Sequence, residues 1–251
     1  MCGICGKLSL AGKPVPGELI RKMTSALAHR GPDSEGVYLG SRHSDINSAM
    51  TVGLGHKRLS IIDLSDAGRQ PMANEDKTIW MVFNGEIYNF RSFRDKLEQK
   101  GDQFNSRTDG EVIIHLYEEV GIGAVKRLVG MFALAIWDEK KQSLFLGRDH
   151  TGIKPLVYCR DRDSFVFASE IKGILQDPDV PREMDWDALN LYLSFLIDEY
   201  LSKNGIIRQG IFNYPVIKGL INNLMAGRSD TSWQLWNLIA FQVWHSHYGK
   251  T

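Results

Sequence analysis

The sequence predicts a layered α+β fold built largely from antiparallel sheets, and three observations lead to this prediction. Short apolar runs typical of strands cluster towards both ends of the segment over 2–168, and the helical patterns fall between the two clusters. Strands and helices therefore do not alternate strictly, as a doubly wound parallel sheet would require. Four consecutive charged residues over 138–141 separate two strand-like runs, as in a hairpin turn.

The elements of the first half are predicted from apolar spacing and from turn residues. Apolar residues repeat at helical intervals over 18–28, and the Gly31-Pro32 step ends that pattern. Gly101 is a suitable C-cap for a second helix, and Thr108 or Asp109 a suitable N-cap for a third. In chain order we predict a strand over 2–10, a helix over 18–28, strands over 36–39, 51–62 and 78–83, and helices over 90–100 and 109–120.

The period of the pattern changes after residue 130. Strands are predicted over 131–137, 144–147, 156–158 and 165–168. Helices are predicted over 186–195, 215–225 and 233–248, with a loop over 205–215. The helix over 233–248 is apolar and aromatic on nearly all its faces, and a helix of this kind needs burial against a large partner.

Composition excludes several classes of function. The 30 Lys and Arg residues balance 30 Asp and Glu residues, so no basic surface for nucleic acid or anionic membrane is expected. The three cysteines do not form a disulfide framework, and neither a signal peptide nor a membrane-spanning run is apparent. We therefore expect a cytoplasmic protein. No dinucleotide loop or P-loop occurs, and His245 and His247 are expected to be exposed, so we predict no metal and no cofactor.

Cys2 is the first candidate for a reactive residue. Removal of the initiator Met1 would leave a thiol and an α-amino group on one residue, with ordinary pKa values of ~8.5 and ~7.7–8.0. Such an amine is able to act as the base for its own side chain. The alternative is an ordinary buried cysteine in a first strand, which position alone favours.

Three further segments carry candidate groups, each with a structural alternative. Arg58 lies towards the end of a predicted strand and is either a ligand for an anion or part of a surface ion pair. Asn84 and Gly85 follow a strand and either donate hydrogen bonds to an oxyanion or form a hairpin turn. Asp109 begins a helix and is either a functional carboxylate or a cap.

Six segments, taken in order, carry a resemblance to a known family. They are residues 2–4 (CGI), 29–33 (HRGPD), 58–63 (RLSIID), 84–89 (NGEIYN), 108–111 (TDGE) and 147–156 (GRDHTGIKPL). Together they resemble the glutaminase domain of class II glutamine amidotransferases, which are N-terminal-nucleophile hydrolases, and most closely that of glutamine-hydrolysing asparagine synthetase. The resemblance implies an αββα sandwich of two antiparallel sheets. His150 departs from the Pro or Arg usual in the family.

The resemblance also implies a reaction on L-glutamine, without a cofactor in this domain. Cys2 would attack the side-chain amide and form a glutamyl thioester with release of ammonia, and water would then release glutamate. The Asn84 side chain and the Gly85 N–H would stabilise the oxyanion.

Substrate recognition is implied for five further residues. Arg58 would bind the α-carboxylate through a bidentate contact that Lys does not reproduce. Leu59 and Ile61, from the same segment, would line the substrate site. Asp109 and Glu86 would accept the α-ammonium group, although Glu86 has the alternative of bracing its loop.

The resemblance divides the chain into an amidotransferase domain over 2–195 and a helical segment over 196–251. The segment resembles the C-terminal end of asparagine synthetases at residues 210–213 (GIFN), 235–238 (LWNL), Phe241 and Trp244. The Ser-Gly-Gly-x-Asp-Ser loop of their ATP-using domain does not occur here, so ATP and Mg²⁺ are expected only with that domain. Three accounts of the intervening part stay open: it is absent through disorder or editing, it has been deleted, or the tail is an unrelated helical cap whose likeness is accidental.

The function implied is hydrolysis of glutamine, with transfer of ammonia to ATP-activated aspartate in the full enzyme. Two alternatives stay open, namely a sugar or phosphoribosyl acceptor and a non-catalytic module that retains the fold. A homodimer is a further possibility.

Overall fold

A computed structural model describes residues 1–40, 50–183, 194–229 and 231–248. The chain divides into two compact units, Met1–Pro181 and Arg182–Thr251. The domain boundary expected between residues 195 and 196 stays a prediction, and the helix expected over 186–195 falls mostly outside the described residues.

The first unit contains two antiparallel sheets. Their strands are β1 Gly3–Ser9, β2 Ser34–Leu39, β3 Thr51–Arg58, β4 Met72–Ala73, β5 Ile79–Ile87, β6 Gly130–Asp138, β7 Ser143–Arg148, β8 Val157–Arg160 and β9 Ser164–Ala168. The first sheet has the order β2-β3-β1-β9-β8 and the second the order β4-β5-β6-β7. Every neighbouring pair is antiparallel, which confirms the sheet type predicted from the sequence.

Four helices flank these sheets in the described part of the first unit. They are α1 Gly17–Ser25, α2 Phe90–Lys100, α3 Glu111–Val120 and α4 Ile171–Ile174. Gly101 has the left-handed backbone conformation (φ 106°) at the C-cap of α2, as expected for a glycine in this position.

Three apolar clusters show how the layers stack. Residues of α1 and α4 pack with Cys5 and Val166 on the outer face of the first sheet. Residues of α2 and α3 pack on the outer face of the second sheet. Between the sheets lie residues from both, among them Ile4, Trp137 and Phe167. The order helix, sheet, sheet, helix is the αββα sandwich that the sequence resemblance implies.

Three predicted boundaries are wrong in ways that affect function. β5 continues to Ile87, so Asn84 and Gly85 lie inside a strand and not in a turn after it. β3 ends at Arg58 and does not continue to residue 62. The third helix begins at Glu111 with Gly110 as its N-cap, so neither Thr108 nor Asp109 caps it. In addition, α1 ends at Ser25, and residues 28–30 form a separate 3₁₀ turn.

The second unit is helical in its described part. Residues 194–200 are helical, followed by α5 Lys203–Gln209, α6 Tyr214–Met225 and α7 Ser232–Tyr248. The loop predicted over 205–215 is wrong, because α5 tolerates Gly205 and ends only at Gly210, whose φ is 72°.

The last helix of this unit exposes much of its aromatic surface. Leu235 and Ile239 are buried in a cluster with Ile197, Leu201, Ile206 and Ile217. Trp233 and Trp244, in contrast, are 71% and 54% exposed. No helix of the described chain is long and apolar enough to cross a membrane.

Candidate active site

A cavity of about 260 Å³ opens beside the ends of β1 and β3 and the middle of β5. It is lined by all eight site residues predicted from the sequence, which are Cys2, Arg58, Leu59, Ile61, Asn84, Gly85, Glu86 and Asp109. These residues come from four separate segments of the chain, and the sandwich brings them together.

Cys2 lies immediately before β1, the central strand of its sheet. The Arg30 Nε donates a hydrogen bond to the Cys2 carbonyl (2.9 Å), and Gly3 pairs with Lys57 of β3. The Leu59 N–H points at the Cys2 Sγ at 3.4 Å. The half-buried Cys2 is therefore positioned by its neighbours in the sheet and by the residue that follows β3.

The electrostatic surroundings of the Cys2 thiol do not favour ionisation. Burial raises its pKa, and this effect outweighs the Leu59 hydrogen bond and the positive charges of the Met1 amino group, Arg58 and Arg30. A reaction through this sulfur is therefore helped by a base that takes the thiol proton.

The N–H groups of alternate β5 residues point away from β6, at the edge facing the cavity. The Phe83 N–H donates to the Gln70 Oε1 (2.6 Å) and the Ile87 N–H to the Asp109 Oδ2 (2.6 Å). Because N–H directions repeat every second residue along a strand, the Gly85 N–H points to this edge as well. A Cβ at Gly85 would lie 2.4 Å from the Met131 carbonyl oxygen, so only glycine fits.

Asn84 supplies a second donor next to the Gly85 N–H. Its side chain is 1% exposed, and the Nδ2 has no hydrogen-bond partner among the described residues. An unpaired buried amide costs about 1–3 kcal/mol, so such groups usually have a function. The pair is suited to bind an oxygen that acquires negative charge.

Arg58 is buried at the end of β3 and held by backbone carbonyls. Its Nη1 donates to the Ser65 carbonyl (2.8 Å) and its Nη2 to the Asp63 carbonyl. A Cβ on Gly68 would lie 2.1 Å from the Arg58 Nη2, so glycine makes room for the guanidinium. Two of its five N–H groups are thus used, and the others remain for an anion.

Asp109 places a carboxylate in the cavity beside the strand that carries Glu86. The pKa of Asp109 is raised to about 6, mainly by burial and also by the negative charge of Glu86, and the hydrogen bond from the Ile87 N–H opposes both effects. Above that pH a buried negative charge lies in the same cavity as the positive Arg58. Glu86 lies within β5 and lines the cavity, and its role stays a prediction.

Three polar residues of the cavity wall, Asp63, Gln70 and Lys154, are additional to the predicted site residues. Asp63 accepts hydrogen bonds from the Ser65 and Arg107 N–H groups (2.9 and 2.8 Å) and so shapes the loop that holds Arg58. Gln70 bonds to β5, and Lys154 is a buried cation in the wall. Asp63 and Lys154 lie in two of the six segments that carry the family resemblance, 58–63 and 147–156. Gln70 lies outside all six, so the sequence did not indicate it. His150 is exposed and does not line the cavity.

Comparison with known proteins gives one consistent family. A family model described as a glutamine amidotransferase domain matches residues 1–221. Asparagine synthetase [glutamine-hydrolyzing] 2 of Bacillus subtilis is 41% identical over 189 residues, covering 74% of this chain and 24% of the relative. Putative asparagine synthetase [glutamine-hydrolyzing] 2 of Methanocaldococcus jannaschii is 39% identical over 218 residues, covering 80% of this chain and 41% of the relative.

A solved structure matches the fold. It is the glutamine phosphoribosylpyrophosphate amidotransferase from B. subtilis, with a TM-score of 0.55 and 20% identity over 68% of this chain and 42% of that one. The chain spans 24–41% of the length of the two synthetases above. The family and the class of enzyme predicted from the sequence are thereby confirmed: the chain belongs to the glutamine amidotransferase domain family.

Proposed function

We propose that this domain hydrolyses L-glutamine to glutamate and ammonia through a thioester on Cys2. The observation that carries the proposal is the shared cavity, whose lining combines the Cys2 residue, the unpaired Asn84 amide, Gly85, the Arg58 guanidinium and the Asp109 carboxylate. Membership of the amidotransferase family supports glutamine as the substrate.

The first half-reaction begins once Met1 has been removed. The free α-amino group of Cys2 takes the thiol proton, and the thiolate attacks the side-chain amide carbon of glutamine. The Asn84 Nδ2 and the Gly85 N–H donate to the oxyanion of the tetrahedral intermediate. The α-ammonium of Cys2 then protonates the leaving nitrogen, so that ammonia departs and a glutamyl thioester remains.

The second half-reaction returns the enzyme to its starting state. The amine, again neutral, accepts a proton from water, and the hydroxide attacks the thioester carbonyl held by the same two donors. The C–S bond breaks, glutamate leaves, and the proton returns to the sulfur.

Two opposite charges select an α-amino acid. Arg58 binds the α-carboxylate through the donors that its backbone contacts leave available. Asp109 accepts the α-ammonium group, while Leu59 and Ile61 line the space beside it.

For the complete protein we propose that the ammonia reaches an ATP-activated aspartate, with ATP and Mg²⁺ bound outside this domain. The names of the two synthetases support that acceptor over a sugar or phosphoribosyl substrate. Incorporation of ¹⁵N from amide-labelled glutamine into asparagine by the complete gene product tests it, and label in a sugar or phosphoribosylamine would refute it. Cytoplasmic location and a homodimer stay predictions.

The amino terminus gives a direct test of the glutaminase. We expect a chain released by proteolysis directly before Cys2 to produce glutamate from glutamine, and a chain with one extra alanine before Cys2 to lose at least about 100-fold in kcat. Intact mass confirms each terminus. Equal rates would remove the amine from the mechanism, and no glutamate from either chain would favour a non-catalytic module.

Replacing Asp109 by asparagine is expected to have two effects. It should weaken the binding of glutamine, and it should raise the free energy of unfolding. The wild-type KM for glutamine should rise as the pH falls below about 6, because Asp109 becomes protonated.

The raised pKa of Asp109 in the native state means that the native state binds more protons than the unfolded state between pH ~4 and ~6. Ionisation of Asp109 therefore lowers the stability of the fold as the pH rises through that window. At pH 8 we expect Asp109→Asn to gain on the order of 2 kcal/mol in unfolding free energy and to lose the KM dependence near pH 6.

Asp63→Asn is the matched control for stability. Hydrogen bonds from Arg107 and Ser65 lower the Asp63 pKa to about 2, so its charge is stabilised in the native state. Thermal unfolding at pH 8 should therefore shift down for Asp63→Asn and up for Asp109→Asn. Shifts of the same sign would contradict the assignment of the Asp109 charge as a buried, unfavourable one.

A further inference from the structure

A second cluster of chemically capable side chains lies on the helical face of the second sheet, away from the residues that line the cavity. Glu75, His115 and Glu118 each place one ligand atom within 4.8 Å of the others. The Asp102 Oδ1 lies 3.7 Å from the His115 Nδ1. Glu75 follows β4, Asp102 follows α2, and the other two lie three residues apart on α3.

The His115 Nδ1 is the centre of this cluster. The side chain is 3% exposed, and within the described chain the Nδ1 has no hydrogen-bond partner. Carboxylate oxygens of Glu118, Asp102 and Glu75 surround it at 3.6, 3.7 and 4.0 Å. A buried imidazole nitrogen that faces three carboxylates without a bond to any of them needs a further partner.

The distances indicate what that partner is. They exceed the 2.7–3.2 Å of hydrogen bonds involving nitrogen and oxygen. Ligands bound to one tetrahedral ion with bonds of about 2.0–2.2 Å are separated by about 3.4 Å. The distances of 3.6–4.0 Å from the His115 Nδ1 to the three carboxylate oxygens are close to that separation.

Neighbouring residues orient these ligands. The Asn74 Nδ2 donates to the Glu118 Oε1 at 2.8 Å, so the other oxygen, Oε2, faces His115. The Phe104 ring packs against the imidazole with centroids 4.4 Å apart. The Asp102 N–H bonds to the Leu97 carbonyl (3.2 Å) in the turn made by Gly101. Outer contacts of this kind are typical of metal sites.

We propose that Glu75, His115 and Glu118 bind one divalent transition-metal ion, with Asp102 as the fourth ligand, and that Zn²⁺ fits the site. Imidazole nitrogen with carboxylate oxygen suits borderline ions such as Zn²⁺, whereas Mg²⁺ and Ca²⁺ take oxygen ligands. The three carboxylate side chains are 29–45% exposed, which gives an ion access from solvent. With four protein ligands the site is a structural one that joins α2, α3 and the turn after β4.

Calorimetric titration of the EDTA-treated, 251-residue chain with ZnCl₂ tests the proposal. The titration is made in a Cys2→Ala background, so that the thiol does not compete for the ion. We expect one Zn²⁺ per chain, and at an excess of about 100 times Kd a rise in Tm of about 5 °C that EDTA reverses. Mg²⁺ at the same concentration should leave the Tm unchanged.

Conservative variants locate the ion. Glu75→Gln and Glu118→Gln should each weaken Zn²⁺ binding at least 10-fold. Glu119→Gln, on the same helix and paired with Lys100, should bind as the parent does. Because Glu75 is 45% exposed, its variant is expected to fold even if changes at His115 are not tolerated.

The proposal fails if no one-to-one Zn²⁺ binding occurs, or if both glutamine variants bind Zn²⁺ like the parent. It fails equally if the variants alter the Tm by the same amount with and without Zn²⁺. That result would make the cluster a structural network around His115 and not a metal site. None of these outcomes depends on glutaminase activity.

Discussion

Replacing Cys2 by alanine is expected to lower glutamate release from glutamine by at least about 1,000-fold. The variant removes the only atom in the proposed mechanism that bonds covalently to the substrate. Because the side chain is half-buried beside a cavity, the unfolding free energy should change by no more than about 1 kcal/mol. Steady-state kinetics with glutamine and thermal unfolding of the same samples measure both quantities.

Cys159→Ala is the matched control, since this thiol is also half-buried but lies in β8, outside the cavity. It should retain the activity of the parent. A thiol-alkylating glutamine analogue should label Cys2 and spare both Cys159 and Cys5, whose pKa burial raises to about 12. If Cys2→Ala kept parental activity, or if the label appeared on another cysteine, the thioester mechanism would be wrong.

Replacing Asn84 by alanine is expected to lower kcat by about 100- to 1,000-fold, equivalent to about 2.7–4 kcal/mol of transition-state stabilisation. The KM for glutamine should change little, because the oxyanion forms only after the substrate has bound. The Asn84 Nδ2 has no partner within the described chain, so its loss removes no hydrogen bond from the fold. Removal of the unpaired buried amide and loss of the packing of the side chain act in opposite directions, so thermal stability should change little.

Asn89→Ala gives the opposite outcome and serves as the control. The Asn89 side chain donates to the Arg127 carbonyl (3.0 Å) and accepts from the Val129 N–H (3.0 Å), away from the cavity. This variant should unfold at a lower temperature and keep its kcat. A loss of stability without a loss of kcat in Asn84→Ala would show that Asn84 is structural.

The layered fold was accessible from sequence because local patterns and tertiary packing agree over most of the first unit. α2 is one case, with its bounds and its Gly101 cap as predicted. β5 shows the limit, because Asn84-Gly85 is a strong local turn signal. Pairing of all nine β5 residues with β6 overrides that signal and keeps the strand extended.

The motifs predicted which residues line the site, but they did not predict the hydrogen bonds that hold these residues in place. Asp109 resembles a helix cap in sequence, yet its carboxylate binds the Ile87 N–H, 22 residues away. Arg58 is fixed by two backbone carbonyls, which leave no trace in a sequence. The cluster around His115 joins three segments, and the spacing of His115 and Glu118 is its only local signature.

The short length of β4 limits which sequence changes such a domain tolerates during evolution. β4 has two residues and pairs with Trp80 and Met81, so among the described residues no strand covers the β5 edge where the Gly85 N–H lies. A backbone amide is present whatever the side chain, and only proline eliminates it. An insertion between β3 and β5 that lengthened β4 along the β5 edge would form a hydrogen bond with the Gly85 N–H and make it unavailable to the substrate. Length variation between β3 and β5, more than exchange of individual residues, is therefore the change that this half of the oxyanion site tolerates least.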